Sequence, residues 1–221
     1  MKLYSMLLAW LFPEKCVLCG GLLEKDELDL CRKCRIEAPE CGLSRAKYPY
    51  LESWTAVWRY QDLVRRSILR YKFYGKRSYA AAYARLLGVK LMAEDRLQVD
   101  VITWVPISAK RLRKRGFDQC RLLAEALSRE VDIPALPLLE KLRDNPPQSG
   151  IVGHAHRKAN VLGVYRVIDP TQIQDKRILL LDDILTTGAT AGECARVLLT
   201  AGAREVHLGV VAASNPERTG R

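Results

Sequence analysis

The second half of the chain alternates short apolar runs with stretches of helical periodicity. Continuous apolar runs are typical of parallel strands covered on both faces, whereas apolar residues three and four positions apart are typical of helices. Strands separated by helices of this length predict a parallel sheet of the α/β class. The strands are expected at 99–105, 161–168, 178–181 and 206–212, and the helices at 117–130 and 189–200.

The first half has another pattern. Residues 54–60 alternate as a strand does, and two helical stretches follow at 63–71 and 80–92. The residues before them are rich in cysteine and lack long apolar periodicity. We therefore expect two units: residues 1–50, an apolar lead with a cysteine module, and residues 51–221, the α/β domain.

The apolar lead, residues 1–15, contains the run from Met6 to Phe12 shortly after Lys2. This run is too short to cross a bilayer, and no small-residue cleavage site of a secretory signal follows it. We expect a short helix that packs on the body of the protein, no membrane span and a cytoplasmic location.

Four of the seven cysteines form two Cys-x-x-Cys pairs with eleven residues between the pairs. This spacing is typical of a tetrahedral structural zinc site in a reducing compartment. The alternatives are core cysteines without a metal and a redox pair, although a redox role needs only one pair. The expected Zn²⁺ ligands are Cys16, Cys19, Cys31 and Cys34.

Other cysteines and histidines have weaker patterns. Cys120 and Cys194 lie within helical stretches and are expected in the core. His154 and His156 are expected to be solvated rather than to bind a metal.

The composition adds a strong positive charge. Lys and Arg total 36 against 25 Asp and Glu, so the formal net charge is +11. Such a surplus favours an anionic partner, such as nucleic acid, a phosphorylated metabolite or an acidic protein, without choosing among them. A basic surface that serves solubility alone is the alternative.

Two adjacent carboxylates follow the aliphatic run 178–181, and a hydroxyl-rich turn with one glycine follows them. Open α/β sheets bind ligands at the carboxyl ends of their strands, and N–H groups at a helix start attract anions. Carboxylates can accept hydrogen bonds from sugar hydroxyls or approach a divalent cation. The pattern predicts a phosphate cup beside a carboxylate pair, and the alternative is an acidic strand end before an ordinary helix. The residues are Asp182, Asp183, Thr186, Thr187, Gly188, Ala189 and Thr190.

A basic segment follows the strand that ends at Val105, and we expect it to be a loop. A diphosphate needs exposed N–H groups and cations, and five cationic side chains stand within residues 110–115. The residues expected to bind the diphosphate are Pro106, Ile107, Ser108, Arg111 and Arg115.

Residues 178–190 resemble the PRPP-binding motif of type I phosphoribosyltransferases, in which a hydrophobic run and two acidic residues precede Thr-Thr-Gly-x-Thr. In that family the acidic pair holds the ribose hydroxyls and the turn holds the 5′-phosphate. The resemblance implies PRPP as the ligand, Mg²⁺ bound with PRPP, and catalytic roles for Asp182 and Asp183.

Further blocks, together with the cysteine pairs, resemble the ComF family, which is linked to DNA uptake in competent bacteria. Asp118 and Asn145 replace the family's usual Asn and Thr, and both replacements are polar. The resemblance covers nearly the whole chain and implies a type I phosphoribosyltransferase-like sheet flanked by helices, with a small N-terminal zinc ribbon. The implied partners are PRPP or a phosphorylated ribose ligand, single-stranded DNA and a DNA-uptake helicase. The blocks are Val105-Pro106, Arg115-Gly116-Phe117-Asp118-Gln119, Arg143 to Gln148, and Arg157 to Val161.

The same resemblance bears on two other segments. Cys41 resembles half of a third knuckle of the family, but Ala38 stands where its partner would be, so Cys41 is not expected to bind metal. By analogy with related amidotransferases, residues 143–157 would form a mobile loop over PRPP. This analogy gives Arg143 and Arg157 catalytic roles and Gln148 a ligand-binding role, and solvated charges are the alternative for both arginines.

Cationic and aromatic residues interleave between residues 60 and 79. Such a mixture suits single-stranded nucleic acid, because cations meet the backbone and rings stack on bases. The alternative is an amphipathic helix whose rings face the core and whose cations face water. The residues are Tyr60, Arg65, Arg66, Arg70, Tyr71, Lys72, Phe73, Tyr74, Lys76, Arg77 and Tyr79.

Two functions follow from these patterns. The first is an enzyme that transfers a phosphoribosyl group from PRPP through positioning and charge stabilisation, since no general base is evident. The second is a competence module that binds a nucleotide, a phosphorylated ligand or single-stranded DNA without chemistry.

Overall fold

A computed structural model describes residues 14–43, 46–144 and 162–214. Four strands of this part form a parallel sheet in the order β1-β6-β5-β2, and the other two form a separate antiparallel pair, β3-β4. The parallel sheet confirms the expected α/β class. The strands are Ser53–Arg59 (β1), Val101–Trp104 (β2), Leu139–Lys141 (β3), Tyr165–Val167 (β4), Arg177–Leu185 (β5) and Glu205–Ala213 (β6).

Helices flank the sheet, as the periodicity predicts. None of them, within the described ranges, is long and apolar enough to cross a membrane. They are Arg32–Glu37 (α1), Asp62–Phe73 (α2), Tyr79–Ala93 (α3), Ala109–Arg115 (α4), Gln119–Val131 (α5) and Ala189–Thr200 (α6), with a 3-10 turn at Pro170–Gln172.

Side-chain alternation along β5 divides the core into two layers. Leu179 and Leu181 pack with α2, α3 and α5 on one face, whereas Ile178 and Leu180 pack with α6 on the other. All four side chains are fully buried, because helices cover both faces of the strand. The alternation extends to the end of the strand and directs Asp183 toward α2 and α5.

The basic segment after β2 is a helix rather than the expected loop. Ser108 Oγ accepts a hydrogen bond from Arg111 N–H at 3.3 Å and caps the start of α4. Gly116 ends the helix in the left-handed region, with φ 77°, and its N–H donates to the Leu112 carbonyl at 2.7 Å. None of the residues of α4 is buried, so the sequence has no apolar periodicity that would predict this helix.

The strand expected at 161–168 is shorter and belongs to a different sheet. Only Tyr165–Val167 is a strand, and it pairs antiparallel with β3 instead of joining the parallel sheet. Its partner, β3, ends at Lys141, just before the segment 143–157 that is expected to be a loop. The bridge between Ile102 and Ala135 places the segment before β3 beside β2.

The cysteine module is fastened to α2 and α3. Ser67 Oγ donates to the Val17 carbonyl, and the Arg70 guanidinium donates to the Leu18 carbonyl. The Arg85 guanidinium also binds the Asp29 carboxylate, with Nε 2.9 Å from Oδ2. Buried residues of the module belong to the same apolar cluster as α2 and α3, so the module packs on the domain rather than standing apart.

Candidate functional site

The carboxyl ends of β2 and β5 meet at one edge of the sheet. The two strands are neighbours and parallel, with Trp104 beside Leu181, and Val105 N–H donates to the Leu181 carbonyl at 2.9 Å. This register places the segment after β2 next to the acidic pair at the end of β5. A cavity of about 160 Å³ lies here, at the edge where parallel sheets bind ligands.

Asp183 lies in a buried ion pair in this cavity. Its carboxylate is accompanied by Lys72 of α2, whose Nζ lies 2.8 Å from Oδ2, and by the Gln119 amide of α5, whose Nε2 donates to Oδ2 at 3.1 Å. Asp183 is only 6% exposed, so the carboxylate depends on these donors to offset its lost hydration.

The carboxylate of Asp182 lies close to that of Asp183. Its Oδ1 accepts the Asp183 N–H at 2.8 Å, and the Cys120 sulfur lies 3.5 Å from the same oxygen. Burial and the neighbouring Asp183 charge raise the pKa of Asp182 to about 7. The two carboxylates therefore differ: Asp183 has a cation beside it, whereas Asp182 gains and loses a proton close to neutral pH.

The turn after β5 has the geometry of an anion cup. Gly188 has φ 76°, and its carbonyl accepts the Gly192 N–H at 2.7 Å as α6 begins. A small cavity of about 50 Å³ lies against this helix start. The first N–H groups of a helix carry partial positive charge, which suits a phosphate. The expected residues that line the small cavity are Asp182, Thr186, Gly188, Ala189 and Thr190, and Thr187 Oγ1 accepts the Ala189 N–H at 3.4 Å.

Glycine is required at position 188 for two reasons. The positive φ is costly for residues with a Cβ. A Cβ at this position would also lie 2.2 Å from Cδ1 of Tyr48, far inside any van der Waals contact.

Four cationic side chains line the larger cavity, and they come from three different elements. Lys72 lies on α2, Arg111 and Arg115 on α4 or its end, and Lys141 on β3. Pro106 and Ile107 line the cavity as expected. The cavity thus combines an acidic edge with cationic walls, which suits a ligand that has both hydroxyl and phosphate groups.

Lys141 and Tyr165 form the wall contributed by the β3-β4 pair. The Lys141 ammonium lies 5.3 Å from the centroid of the Tyr165 ring. Burial and the Arg111 charge lower the pKa of Lys141 to about 8. A lysine of this kind is partly neutral at slightly alkaline pH and can act as donor or acceptor of a proton.

Several expected site residues lie away from the cavity or outside the described residues. Ser108 caps α4 and donates to Asp144 Oδ1 at 2.6 Å, without lining the cavity. Arg143 is exposed, and its guanidinium donates to the Leu162 carbonyl at 3.1 Å. Outside the described residues lie Met6–Phe12, Asn145, Gln148, His154, His156, Arg157 and the block that ends at Val161.

Some cavity residues were missed by sequence reasoning. Gln119 was noticed only as part of a resemblance, Cys120 was expected simply in the core, and Lys141 and Tyr165 were not considered. Lys72 was assigned to a possible DNA-binding stretch. A signal did exist for it, since Lys72 follows the buried Val64 and Ile68 at intervals of eight and four residues.

The four predicted cysteine ligands form a second candidate site. Their sulfur atoms all lie within 4.8 Å of one another, and Cys19 Sγ is 3.8 Å from Cys31 Sγ. A tetrahedral Zn²⁺ with bonds of about 2.3 Å separates its sulfurs by about 3.8 Å. A disulfide would need about 2.05 Å. The cluster is therefore positioned to bind a metal.

The backbone around the cluster supports thiolate ligands. Gly21 N–H points to Cys19 Sγ at 3.3 Å, and Cys34 N–H points to Cys31 Sγ at 3.5 Å. Burial raises the pKa of Cys16, but hydrogen bonds from backbone N–H groups outweigh it and lower this pKa to about 7. Burial and the neighbouring thiols raise the pKa of Cys34 instead, so a bound cation is needed to hold four thiolates together.

The other three described cysteines are buried, and one of them also lines the cavity. Cys41 and Cys194 are buried in the layer that faces α6, away from the cluster. Cys120 is buried in the opposite layer but also lines the cavity beside Asp182.

The basic and aromatic stretch is divided between core and surface. Tyr71 and Tyr79 are buried, whereas Phe73 and Tyr74 are 57% and 73% exposed. The Arg115 guanidinium lies 4.9 Å from the centre of the Phe73 ring. Part of the stretch is thus an amphipathic helix with a core face, and its end presents rings and cations beside the cavity.

The parallel sheet with this acidic pair and glycine-led helix start defines a phosphoribosyltransferase-like domain, and residues 118–221 match the family model described as "Phosphoribosyl transferase domain". The chain is 30% identical to the DNA utilization protein YhgH of Escherichia coli strain K12, over 87% of each chain. It is 30% identical to Competence protein ComFC of Streptococcus pneumoniae, over 87% of this chain and 96% of that protein. The chain therefore belongs to the ComF family, which includes these competence and DNA utilization proteins.

Solved structures resemble part of the chain. The chain aligns with a glutamine phosphoribosylpyrophosphate amidotransferase from B. subtilis at 23% identity, with a TM-score of 0.44. The alignment covers 64% of this chain and 30% of the amidotransferase.

Proposed function

We propose that the cavity binds PRPP or a related phosphorylated ribose, and that the protein acts in DNA uptake. The observation that carries the proposal is the meeting of three elements at one sheet edge: the acidic pair, the glycine-led start of α6 and the cationic walls. Membership of a family with competence proteins supports the role in DNA uptake.

The parts of a phosphorylated ribose match these elements one by one. Asp182 and Asp183 would accept hydrogen bonds from the vicinal ribose hydroxyls, and the turn from Thr186 to Thr190 would hold the 5′-phosphate. Arg111 and Arg115 would face a diphosphate. Arg143 and Arg157 would act from a loop over the ligand, with Gln148, as the resemblance implies.

The carboxylates of Asp182 and Asp183 and the Cys120 thiol lie within 4.8 Å of one another, but their other neighbours do not favour a resident Mg²⁺. Mg²⁺ takes six oxygens in a near-ideal octahedron. Beside the carboxylates lie an ammonium, an amide N–H and a thiol, from Lys72, Gln119 and Cys120. Mg²⁺ would instead arrive with PRPP, held by its diphosphate oxygens.

The cysteine cluster would hold one structural Zn²⁺, which makes residues 1–50 a zinc-bearing module beside the domain of residues 51–221. Four sulfur ligands at tetrahedral separation are typical of closed, structural zinc sites. Thiolates of this kind persist in a reducing compartment, which agrees with action in the cytoplasm.

Calorimetric binding of PRPP with Mg²⁺, and of ribose 5-phosphate, tests the proposal. Asp183→Asn keeps the shape of the side chain but removes its charge, so affinity should fall by about 1.5–3 kcal/mol. Asp132→Asn, at the exposed end of α5, is the matched control and should bind as the wild type does. Wild-type protein that binds neither compound would contradict the proposal.

Release of diphosphate from PRPP in the presence of common bases and amines separates the two functions. Turnover would establish a phosphoribosyltransferase, in which the cationic walls stabilise the departing diphosphate and the carboxylates position an oxocarbenium-like ribose and offset its positive charge. Binding without turnover across the acceptors would favour a non-catalytic competence module.

A single-stranded DNA surface is the second candidate function, and the exposed end of α2 favours it. Phe73 and Tyr74 offer rings for stacking, and the cations of α4 lie beside them. Tyr74→Ala should weaken oligonucleotide binding by about 1–3 kcal/mol. Tyr50→Ala, which removes another exposed tyrosine, should not.

Titration with a labelled oligonucleotide at two salt concentrations measures both effects. Affinity should fall steeply with salt, because bound phosphates release counterions. Binding that ignores salt, or that both tyrosine variants weaken equally, would show that this surface has another use.

A further inference from the structure

We infer that Lys72 is the resident cation of the ligand site, so that the chain binds ribose 5-phosphate without a divalent metal. The inference rests on the proposed function and concerns how that site balances its charge. It gives Lys72, rather than a bound metal ion, the role of compensating Asp183 while a ligand occupies the cavity.

The position of Lys72 is defined by the fold. It lies on the buried stripe of α2, next to the buried Tyr71, whose hydroxyl donates to the Gln119 carbonyl at 2.6 Å. The side chains of Lys72 and Asp183 are only 16% and 8% exposed. A long cationic side chain this well enclosed is held in place by its surroundings rather than sampling many positions.

The ion pair also lines the cavity, unlike a pair that only joins two helices. Lys72, Gln119 and Asp183 all contribute to the cavity wall. The Lys72 ammonium and the Gln119 amide both approach the same oxygen of Asp183, Oδ2. This arrangement directs the other oxygen, Oδ1, to the role of acceptor for a ligand hydroxyl.

A divalent cation would have to compete with this lysine. A carboxylate beside an ammonium at 2.8 Å is already compensated, and a metal bridging the pair would face like-charge repulsion from Lys72. The groups nearest to the two carboxylates are donors and a thiol instead of the oxygens that Mg²⁺ requires. The chemistry of the site therefore favours a fixed lysine over a metal.

Ribose 5-phosphate is the appropriate probe, because it has the hydroxyls and the phosphate but lacks the diphosphate that could carry Mg²⁺ into the site. Its affinity is measured by calorimetry, once with EDTA and once with Mg²⁺. We expect the wild-type affinity to agree within about twofold between the two buffers.

Three variants define the contribution of Lys72. Lys72→Met should lower the affinity for ribose 5-phosphate in EDTA by about 30-fold, and added Mg²⁺ should recover part of the loss. Lys72→Arg keeps the charge and should retain most of the binding. Lys176→Met removes the same charge at the opposite end of β5, from an exposed position, and should bind as the wild type does.

Thermal melts accompany each titration. Should Lys72→Met fold poorly, the double variant Lys72→Met with Asp183→Asn removes both charges and restores stability, and its ligand affinity should be independent of Mg²⁺. Wild-type binding of ribose 5-phosphate that disappears in EDTA would overturn the inference while leaving the proposed function intact. Binding by Lys72→Met as tight as that of the wild type in EDTA would also overturn the inference and leave the proposed function intact. Wild-type protein that ignores ribose 5-phosphate and PRPP in both buffers would instead end the proposed function.

Discussion

The cysteine cluster and the acidic cavity are built in opposite ways. The four sulfur atoms come from one stretch, residues 16–34, so the spacing of the cysteines along the chain is enough to predict that they lie together. The cavity collects side chains from residue 72 to residue 190, on four helices and four strands or their ends. A site of the first kind is visible in a sequence as a pattern, whereas one of the second kind becomes visible only when the fold brings its parts together.

One helix nevertheless connects the two regions. Ser67 and Arg70 of α2 hold the carbonyls of Val17 and Leu18 in the cysteine module, and Lys72 reaches Asp183 at the cavity. The module and the cavity are therefore not independent, since both depend on the position of α2. Variants can test how far the two regions behave as separate sites and how far they share this helix.

The largest effect is expected from the cysteine cluster. Cys34→Ser should abolish tight metal binding and destabilise the fold strongly, because structural zinc contributes about 10–16 kcal/mol in zinc-finger peptides and Cys34 lies in the shared core. Metal content by mass spectrometry and thermal melts would measure both changes.

Cys41→Ser is the matched control. It changes a buried cysteine that lies outside the cluster, so it should cost some stability but retain one metal per chain. Equal metal loss in both variants, or a metal-free wild type with an unchanged melt, would contradict a structural metal at the four cysteines.

The next effect concerns Gly188. Gly188→Ala should destabilise the protein by about 2–5 kcal/mol, the sum of about 1–2 for a left-handed backbone and about 1–3 for overpacking against Tyr48. The substitution should also weaken ribose 5-phosphate binding, because the turn at the start of α6 must shift. Chemical denaturation and calorimetry would quantify the two effects.

Gly75→Ala separates the two causes. Gly75 also has a positive φ, 66°, but nothing lies within 4 Å of a Cβ there, so this variant should show only the backbone cost. If both glycine variants lose the same stability, Tyr48 does not restrict position 188.

A smaller effect tests the connection through α2. Ser67→Ala leaves the buried Val17 carbonyl without its hydroxyl donor, which should cost about 1–3 kcal/mol. If α2 couples the two regions, this variant should also lower the affinity for ribose 5-phosphate, although Ser67 does not line the cavity.

Tyr83→Phe provides the comparison for Ser67. It removes the hydroxyl that lies 2.7 Å from Ser67 Oγ but keeps the bond from Ser67 to the module. Its ligand affinity should match that of the wild type. Unchanged affinity in Ser67→Ala as well would mean that the module and the cavity are energetically separate.

The sequence predicted the parts of this protein that depend on local pattern. The parallel sheet, the apolar run 178–181 of β5 and the start of α6 follow from periodicity and glycine placement, and all three are present. Helix α4 was missed because none of its residues is buried, so it lacks the apolar periodicity on which the prediction relied. Its caps, Ser108 and Gly116, are local signals that could have been recognised.

The cavity shows a different limit. The acidic pair was found from the motif, but Lys72, which forms the ion pair with Asp183, lies 111 positions earlier in the chain. Nothing in the spacing connects the two residues, because the contact depends on how α2 packs on the sheet. The β3-β4 pair that contributes Lys141 and Tyr165 was missed for the same reason, since its strands of three residues are too short for a period to appear.

The last effect concerns the titration of Asp182. The pKa of Asp182 is raised to about 7 from an ordinary value of 3.8, chiefly by burial. Between these values the folded protein holds a proton that the unfolded chain has lost, so the contribution of Asp182 to stability falls as pH rises through this window. Asp182→Asn cannot titrate, and the melting temperature of the wild type should therefore fall relative to that of this variant between pH 5 and pH 8.

Asp169→Asn is the control, because hydrogen bonds from Thr171 lower the pKa of Asp169 and it stays ionised throughout that range. Parallel pH profiles for wild type and Asp182→Asn would contradict a raised pKa of Asp182 in the folded protein.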